Sequence, residues 1–239
     1  MTRSFRLLSL SFRMVPLVAL LGAPALAKEP IFVAPDQIRS AEILPSPPAN
    51  ESDATRADLA ELHAVEASRT PEQADRAMRD EKNEHIFIFK TVLGDRFNEE
   101  NLPKVAALGA RVRNDEGVNA EAAKKAFHRI RPYNLDTTLH PVCKTKTADD
   151  SYPSGHTTSG YLLALALIDM VPEKHDEILA RADAYAFDRI VCGVHYRSDL
   201  EAGKRLAYSV HAAMAQNPEY KAELAGARAE LRAFLGLTP

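Results

Sequence analysis

The stretch SYPSGHTTSG at residues 151–160 places a proline, a serine, a glycine and a histidine directly ahead of a long apolar run. Serine is typical of a helix N-cap, and glycine lets a backbone approach a ligand closely. The first amides of a helix lack partners and the helix dipole is positive there, so helix N-termini favour anions. We therefore predict that Ser154 and Gly155 bind an anion and that His156 gives it a proton.

Two further segments carry the cations and the second histidine that such a site needs. They are KKAFHRIRP at 124–132, with Lys124 and Arg131, and DRIVCGVHYRSD at 188–199, with Arg189, His195 and Asp199. Taken singly, the first is an ordinary basic helix end and the second is a histidine within a core. Taken together with the serine and glycine, they fit phosphoryl transfer, which needs several fixed cations and amide donors around one point.

The spacing of His195 and Asp199 suits a nucleophile and the group that orients it. A carboxylate that accepts a hydrogen bond from one ring nitrogen fixes the tautomer and leaves the other nitrogen free to attack. His156 then protonates the leaving oxygen. Two histidines are needed because one ring cannot be nucleophile and acid in the same step.

In order and spacing, the three segments resemble the three-part motif of the type 2 phosphatidic acid phosphatase superfamily. The matching residues are Lys124-x6-Arg131-Pro132, Pro153-Ser154-Gly155-His156 and Arg189-x5-His195-x3-Asp199. Within that superfamily, SYPSGHT and RIVCGVHYRSD are most similar to the bacterial class A non-specific acid phosphatases. The resemblance implies a helical, periplasmic enzyme that hydrolyses many small phosphomonoesters through a phosphohistidine, without a metal or other cofactor.

The resemblance also implies a role for each matching residue. His195 would be the nucleophile, Asp199 its partner and His156 the general acid. The phosphate ligands would be Lys124, Arg131, Ser154, Gly155 and Arg189. One position departs from the pattern, because Asp188 stands where the family usually has serine. A carboxylate there would either weaken phosphate binding or point away and pair with a neighbouring base.

Several other functions are compatible with parts of the pattern. A nucleotide or pyrophosphate hydrolase, or a phosphotransferase, would use the same residues and stays open. Vanadium haloperoxidases share the motif but are generally much longer, and lipid phosphatases of the superfamily normally carry several membrane spans. A periplasmic metal-binding helical protein is a different class, with ligands His140, Cys143, His156 and His195. Three nearby cations would repel a metal ion, and the tight His/Cys spacing of a zinc site is missing.

The first 27 residues have the features of a secretory signal peptide. They carry three arginines and no acid, then an apolar stretch, then ALA at residues 25–27 as a cleavage pattern. We predict a mature chain that starts at Lys28 and is periplasmic or secreted, without a membrane anchor. In such a compartment Cys143 and Cys192 are expected to form a disulfide instead of two buried thiols. The net charge of −3 shows no basic bias of the kind that nucleic-acid binders carry.

The composition, rich in alanine with ten glycines and no tryptophan, favours helix. We predict an extended N-terminal arm at 28–50 and one all-α helical-bundle domain at 51–239. HIFIFK at 85–90 resembles a strand but has no partner. The predicted helices lie at 52–69, from 70 onward, and at 84–93, 102–113, 119–130, 155–170, 173–191, 198–216 and 218–235. Whether the protein forms a homo-oligomer is left open.

Overall fold

The computed structural model describes residues 28–145 and 147–238, and the predicted signal peptide at 1–27 lies outside them. Its α-helices are α1 (Pro35–Ile38), α2 (Ser40–Ile43), α3 (Asp53–Ser68), α4 (Pro71–Lys82), α5 (Lys90–Leu93), α6 (Pro103–Phe127), α7 (Pro132–Leu135), α8 (Gly155–Met170), α9 (His175–Val191), α10 (Arg197–Met214) and α11 (Pro218–Leu235). Ile86–Phe89 and Pro172–Lys174 form 3-10 helices, so HIFIFK is not a strand. The all-helical prediction is confirmed for the described residues.

The centre of the fold is α8, around which α6, α9, α10 and α11 pack. Every residue from Thr157 to Leu167 is buried, as expected for a helix that is apolar on all sides. A β-carbon at Gly203 of α10 would lie 2.7 Å from the carbonyl oxygen of Ser154, so glycine is required for α10 to reach the start of α8. The Ser154 amide donates to the Asp199 carbonyl at 3.1 Å, which fastens the two helix starts together.

The long helix α6 differs from the prediction of two helices at 102–113 and 119–130. That prediction was wrong, because the polar run NDEGVN at 114–119 looks like a connecting loop in the sequence. In the structure this run is helical and its Asp115 and Asn119 are buried. Their polar atoms form hydrogen bonds with backbone groups of another segment. The run is therefore polar because it makes a tertiary contact, not because it is a solvated loop.

That other segment is the N-terminal arm. Its amides at residues 31–33 all donate to the carboxylate of Asp115, at 2.7 to 2.8 Å. The arm is not extended throughout, since α1 and α2 form two single turns. Phe32 and Leu44 of the arm are buried in the same apolar core as α8. The arm is therefore a structural part of the bundle.

The predicted disulfide between Cys143 and Cys192 is confirmed. It joins the loop that leads to α8 with the end of α9, and the Val142 amide donates to the Cys192 carbonyl at 3.1 Å. The two cysteines are 49 residues apart, a separation that stabilises the fold by about 4 kcal/mol in the chain-entropy model. The bridge thus holds the 143–154 loop against the element that carries Arg189.

No helix among residues 28–145 and 147–238 has both the length and the apolarity needed to cross a bilayer.

Candidate active site

A cavity of about 420 Å³ lies where α6 and α9 end and where α8 and α10 begin. Five of the eight predicted site residues line it, namely Arg131, Gly155, His156, Arg189 and His195. The remaining three lie beside it: Lys124 is half-buried and contacts Asp150, Asp199 is buried and contacts His195, and Ser154 is buried next to Gly155. A larger cavity of about 890 Å³ lies along α4 and α9, but no predicted site residue lines it.

His195 is buried and has a defined tautomer. Its Nδ1 lies 3.2 Å from a carboxylate oxygen of Asp199, and its Nε2 lies 2.9 Å from Nη1 of Arg131. Arginine can only donate hydrogen bonds, so Nε2 must be the acceptor and the proton must be on Nδ1. The unprotonated nitrogen, Nε2, therefore lies on the side of the ring where Arg131 is, and its lone pair accepts from that guanidinium.

The carboxylate of Asp199 is fully buried and held on both oxygens. Oδ1 accepts from Arg129 Nη1 at 2.6 Å, and Oδ2 accepts from the Ser151 hydroxyl at 2.6 Å and from the Tyr196 amide at 2.9 Å. The last bond arises locally, because Asp199 stands in the first turn of α10 and caps its start. These contacts fix the orientation of the carboxylate that in turn fixes the ring of His195.

The surroundings of His195 keep its ring neutral. Burial lowers the pKa of His195 well below its usual value, and the positive charges of Arg131, Arg189 and Lys124 lower it further. A neutral ring is the form in which Nε2 can attack, so the environment supplies the nucleophilic form in the acid range as well as at neutral pH.

The guanidinium of Arg189 is buried without an anionic partner. Its Nη1 contacts the sulfur of Cys192 at 3.6 Å, its Nε has no hydrogen-bond partner, and no carboxylate of residues 28–145 and 147–238 forms an ion pair with it. An unpaired buried charge is costly unless a ligand neutralises it. Arg189 lines the cavity, so the arrangement calls for an anion there.

The neighbouring Asp188 does not neutralise Arg189. Its carboxylate is fully buried and accepts from both Nε and Nη2 of Arg76 on α4, at 3.0 and 2.7 Å. Of the two outcomes considered for this position, the structure shows pairing with a neighbouring base. The departure from the family pattern is thus accompanied by Arg76, and Asp188 does not pair with Arg189.

The other two cations are held in place by the loop before α8. Nζ of Lys124 donates to the carbonyls of Asp150 and Pro153, at 2.7 and 2.9 Å. Arg131 donates from Nη1 to the Val194 carbonyl at 3.0 Å and from Nε to the Asp150 carboxylate at 2.9 Å. The cations therefore have fixed positions before any ligand arrives.

The start of α8 has the geometry of an anion site. The hydroxyl of Ser154 accepts from the Thr157 amide and so caps the helix, which leaves the amides of Gly155 and His156 without helical partners. A β-carbon at Gly155 would lie 2.9 Å from Oε1 of Glu116. Glycine at this position thus leaves room for the Glu116 side chain of α6 beside the start of α8.

His156 is held between two acceptors. Its Nε2 lies 3.1 Å from Oε1 of Glu84 and 3.1 Å from the Glu81 carbonyl, so this nitrogen carries a hydrogen. Its ring stacks on Tyr185 with centroids 6.1 Å apart. Burial and the charge of Arg189 lower the pKa of His156 to about 4, against the opposing effect of Glu84. The ring is neutral in the empty site above that pH.

Similarity to known proteins agrees with this geometry. The PAP2 superfamily matches residues 107–223. The non-specific acid phosphatase of Salmonella typhimurium is 30% identical over 226 residues, which cover 91% of this chain and 90% of that protein. That of Providencia stuartii is 31% identical over 202 residues, which cover 81% of each. The chain belongs to the PAP2-type non-specific acid phosphatases.

A solved structure agrees with the fold of this acid phosphatase. A bacterial vanadium-dependent iodoperoxidase aligns with a TM-score of 0.58 and 18% identity, over 75% of this chain and 53% of that one. At this identity the similarity concerns the fold alone. The prediction of a PAP2/haloperoxidase-type helical fold is confirmed, and so is the prediction of an acid phosphatase, a phosphoric monoester hydrolase.

The alternative of a metal-binding helical protein is wrong for this acid phosphatase. Cys143 is used in the disulfide, and the side chain of His140 is 80% exposed and paired with Glu66. In the described part of the chain no three His, Cys, Asp or Glu side chains are placed to hold a metal ion. Of the four residues considered as ligands, His156 and His195 line one cavity, whereas Cys143 is in the disulfide and His140 pairs with Glu66.

Sequence reasoning missed several residues of this site. Arg129 and Ser151 hold Asp199, Glu84 contacts His156, and Asp150 binds Arg131. Arg129 is two residues from Arg131, and Ser151 is three residues from Ser154. This closeness in sequence to predicted site residues was the signal that could have identified them. Glu84 belongs to a segment without a motif, between α4 and the 3-10 helix at Ile86–Phe89, and the packing of that 3-10 helix against α8 places it at the site.

Proposed function

We propose that this acid phosphatase hydrolyses small phosphomonoesters with broad specificity through a phosphohistidine on His195. The observation that carries the proposal is the buried guanidinium of Arg189, which has no carboxylate partner among the described residues and lines the cavity beside His195. Arg131 and Lys124 add two further fixed cations, and the α8 amides add donors. This set of groups suits the charge that spreads over the phosphoryl oxygens during transfer.

In the first step Nε2 of His195 attacks phosphorus while the bond from phosphorus to the ester oxygen breaks. His156, protonated in the complex, gives its proton to the departing oxygen. The imidazolium formed on His195 is stabilised by Asp199, which accepts from its Nδ1–H. In the second step water attacks phosphorus, the bond from phosphorus to Nε2 of His195 breaks, and neutral His156 takes a proton from that water. Inorganic phosphate and the starting form of the enzyme result.

The protonation state of His156 depends on whether a phosphate group is bound in the site. In the empty site Arg189 lowers the pKa of His156. A bound phosphate group places negative charge between them and raises that pKa, because an opposite charge favours the imidazolium. Binding of substrate is therefore coupled to uptake of the proton that the reaction needs.

Hydrolysis of a chromogenic phosphate ester by the purified mature protein tests the proposal. We expect turnover that a chelator leaves intact, because Lys124, Arg131, Arg189 and the helix amides already stabilise the charge. Vanadate and inorganic phosphate should compete with the substrate, since both resemble the transferred group. Loss of activity on metal removal, with recovery when metal is added back, would contradict the metal-independent mechanism.

We also propose that the protein is exported to the periplasm or the medium. The amino-terminal sequence supports this, and so does the bridge between Cys143 and Cys192, because disulfides persist in oxidising compartments. Mass spectrometry of the exported protein should show a chain that begins at Lys28, or within a residue or two of it. Retention of Met1 in the exported form would contradict the signal-peptide interpretation.

A further inference from the structure

The carboxylate of Asp150 contacts one of the proposed phosphate ligands, Arg131, and its backbone carbonyl contacts another, Lys124. Oδ1 of Asp150 is 2.9 Å from both Nε and Nη2 of Arg131, and it also accepts from the Thr147 hydroxyl. The Asp150 carbonyl accepts from Lys124 Nζ at 2.7 Å. The side chain is 35% exposed and lines the same cavity as His195. Neither the three-part motif nor the mechanism above uses this carboxylate.

The position of Asp150 relative to the bound phosphate follows from the planar guanidinium of Arg131. Nη1 of that group contacts the attacking nitrogen of His195, while Nε and the adjacent Nη2 contact Asp150. A phosphoryl group in line with the attacking nitrogen must use the donors nearest to it. One of its oxygens is then beside the Asp150 carboxylate, and Oδ2 is the acceptor left for a further hydrogen bond because Oδ1 already accepts three.

The charge state of Asp150 determines whether its carboxyl group donates or accepts a hydrogen bond. Partial burial acts to raise the pKa of Asp150, but the hydrogen bonds from Arg131 and Thr147 and the charge of Lys124 outweigh it, and the pKa is lowered. The same cavity is lined by neutral His195 and by further ionisable side chains, namely Arg189, Lys82, Lys144, Glu81, Glu84 and His156. Asp150 is therefore an ionised carboxylate in the acid range, and an ionised carboxylate can only accept hydrogen bonds.

We propose that Asp150 selects the singly protonated form of the phosphate group, by accepting a hydrogen bond from its P–OH. The proposal rests on the proposed function, since it concerns the same phosphate site. A fully ionised oxygen beside Asp150 would be repelled, whereas a protonated oxygen donates to it. The second pKa of a phosphate monoester is about 6, so the selected monoanion predominates on the acid side of neutrality. Sulfate, which has no proton to donate at these pH values, should be rejected.

The test compares binding of inorganic phosphate and sulfate to the full-length mature protein at pH 5, by calorimetry and by inhibition of ester hydrolysis. The variants are Asp150→Asn and the matched control Asp149→Asn, whose exposed carboxylate pairs with His128. In the wild type, phosphate should bind more tightly than sulfate. In Asp150→Asn the ratio of phosphate to sulfate affinity should fall by about tenfold to a hundredfold, through tighter sulfate binding. Asp149→Asn should keep the wild-type ratio.

A second readout uses pH. Phosphate affinity of the wild type should fall as pH rises from 5 to 7.5, because the monoanion is depleted, and Asp150→Asn should flatten this dependence. If Asp150→Asn changes the affinities of both anions equally, Asp150 only positions Arg131 and the proposal is overturned. It is likewise overturned if the wild type binds neither anion.

If Asp150→Asn fails to fold, Asp150→Ala is measured in its place. This variant also removes the carboxylate but keeps the backbone carbonyl that accepts from Lys124. The calorimetric experiment needs no turnover. A wild type that binds phosphate in preference to sulfate but hydrolyses no ester would contradict the proposed function alone. Normal hydrolysis with an unaltered anion ratio in both variants would contradict the role of Asp150 alone.

Discussion

Replacing His195 by alanine is expected to lower hydrolysis of every phosphomonoester by about 10⁴-fold or more, as losses of a catalytic nucleophile do. The reason is the tautomer seen in the structure, in which Nε2 is unprotonated beside Arg131 and Nδ1 faces Asp199. Without this ring no phosphoenzyme can form. Steady-state rates on aryl and alkyl phosphates measure the effect.

The matched control is His175→Ala, because the ring of His175 is half exposed and pairs only with the adjacent Asp176. This variant should keep wild-type activity. Rapid quenching of the wild type during turnover should trap phosphate on protein in an acid-labile form, and His195→Ala should trap none. A variant at 195 that retains a few per cent of the activity would contradict the covalent mechanism.

Replacing His156 by alanine is expected to have an effect that depends on the leaving group. Hydrolysis of alkyl phosphates should fall by roughly 10² to 10⁴, the usual contribution of a general acid. Hydrolysis of nitrophenyl phosphate should suffer much less, because nitrophenolate leaves without a proton. The measurement is the ratio of mutant to wild-type rate across leaving groups of different pKa. Equal losses for good and poor leaving groups would mean that His156 is not the general acid.

The same residue determines the alkaline side of the pH profile. Burial and Arg189 lower the pKa of His156 to about 4 in the empty site, and bound phosphate raises it. The alkaline limb of kcat, which reports the complex, should therefore lie at higher pH than the limb of kcat/KM. Because His195 must stay neutral, the profile should be bell-shaped with its maximum on the acid side of neutrality.

Glu84→Gln offers a variant that leaves His156 in place. The carboxylate of Glu84 lies 3.1 Å from Nε2 of His156 and favours its protonated form. Removing that negative charge lowers the pKa of His156, so the alkaline limb of kcat should move to lower pH. An unchanged limb in this variant would show that another group is responsible for it.

Helix positions were predictable from the sequence where one face or all faces of an element are apolar. The run after Gly155 and the capped helix at 218–235 agree with the structure almost to the residue. The break predicted between 113 and 119 failed because Asp115 and Asn119 are polar in order to bind the arm. Periodicity cannot distinguish such buried polar contacts from a solvated loop.

The grouping of the candidate site residues around one cavity was predictable for a different reason. The main site residues occur in three local motifs whose spacing reflects the start of a helix or its end. Arg129, Glu84 and Asp150 act through partners on other segments, at sequence separations that no local spacing encodes. Asp150, in particular, is one of two consecutive aspartates with similar local surroundings, and only the structure shows that this one reaches Arg131.

The anchoring of the arm sets a limit on maturation. The first amide that the fully buried Asp115 accepts belongs to Ile31, and only Lys28, Glu29 and Pro30 separate it from the expected cleavage after Ala27. A protease that trims past Ile31 would remove one amide donor from a buried carboxylate, and such a loss costs about 1–3 kcal/mol. Lys28 and Glu29 are exposed whereas Phe32 is buried, so the expected cleavage position can shift inward by about three residues before it reaches the core of the fold.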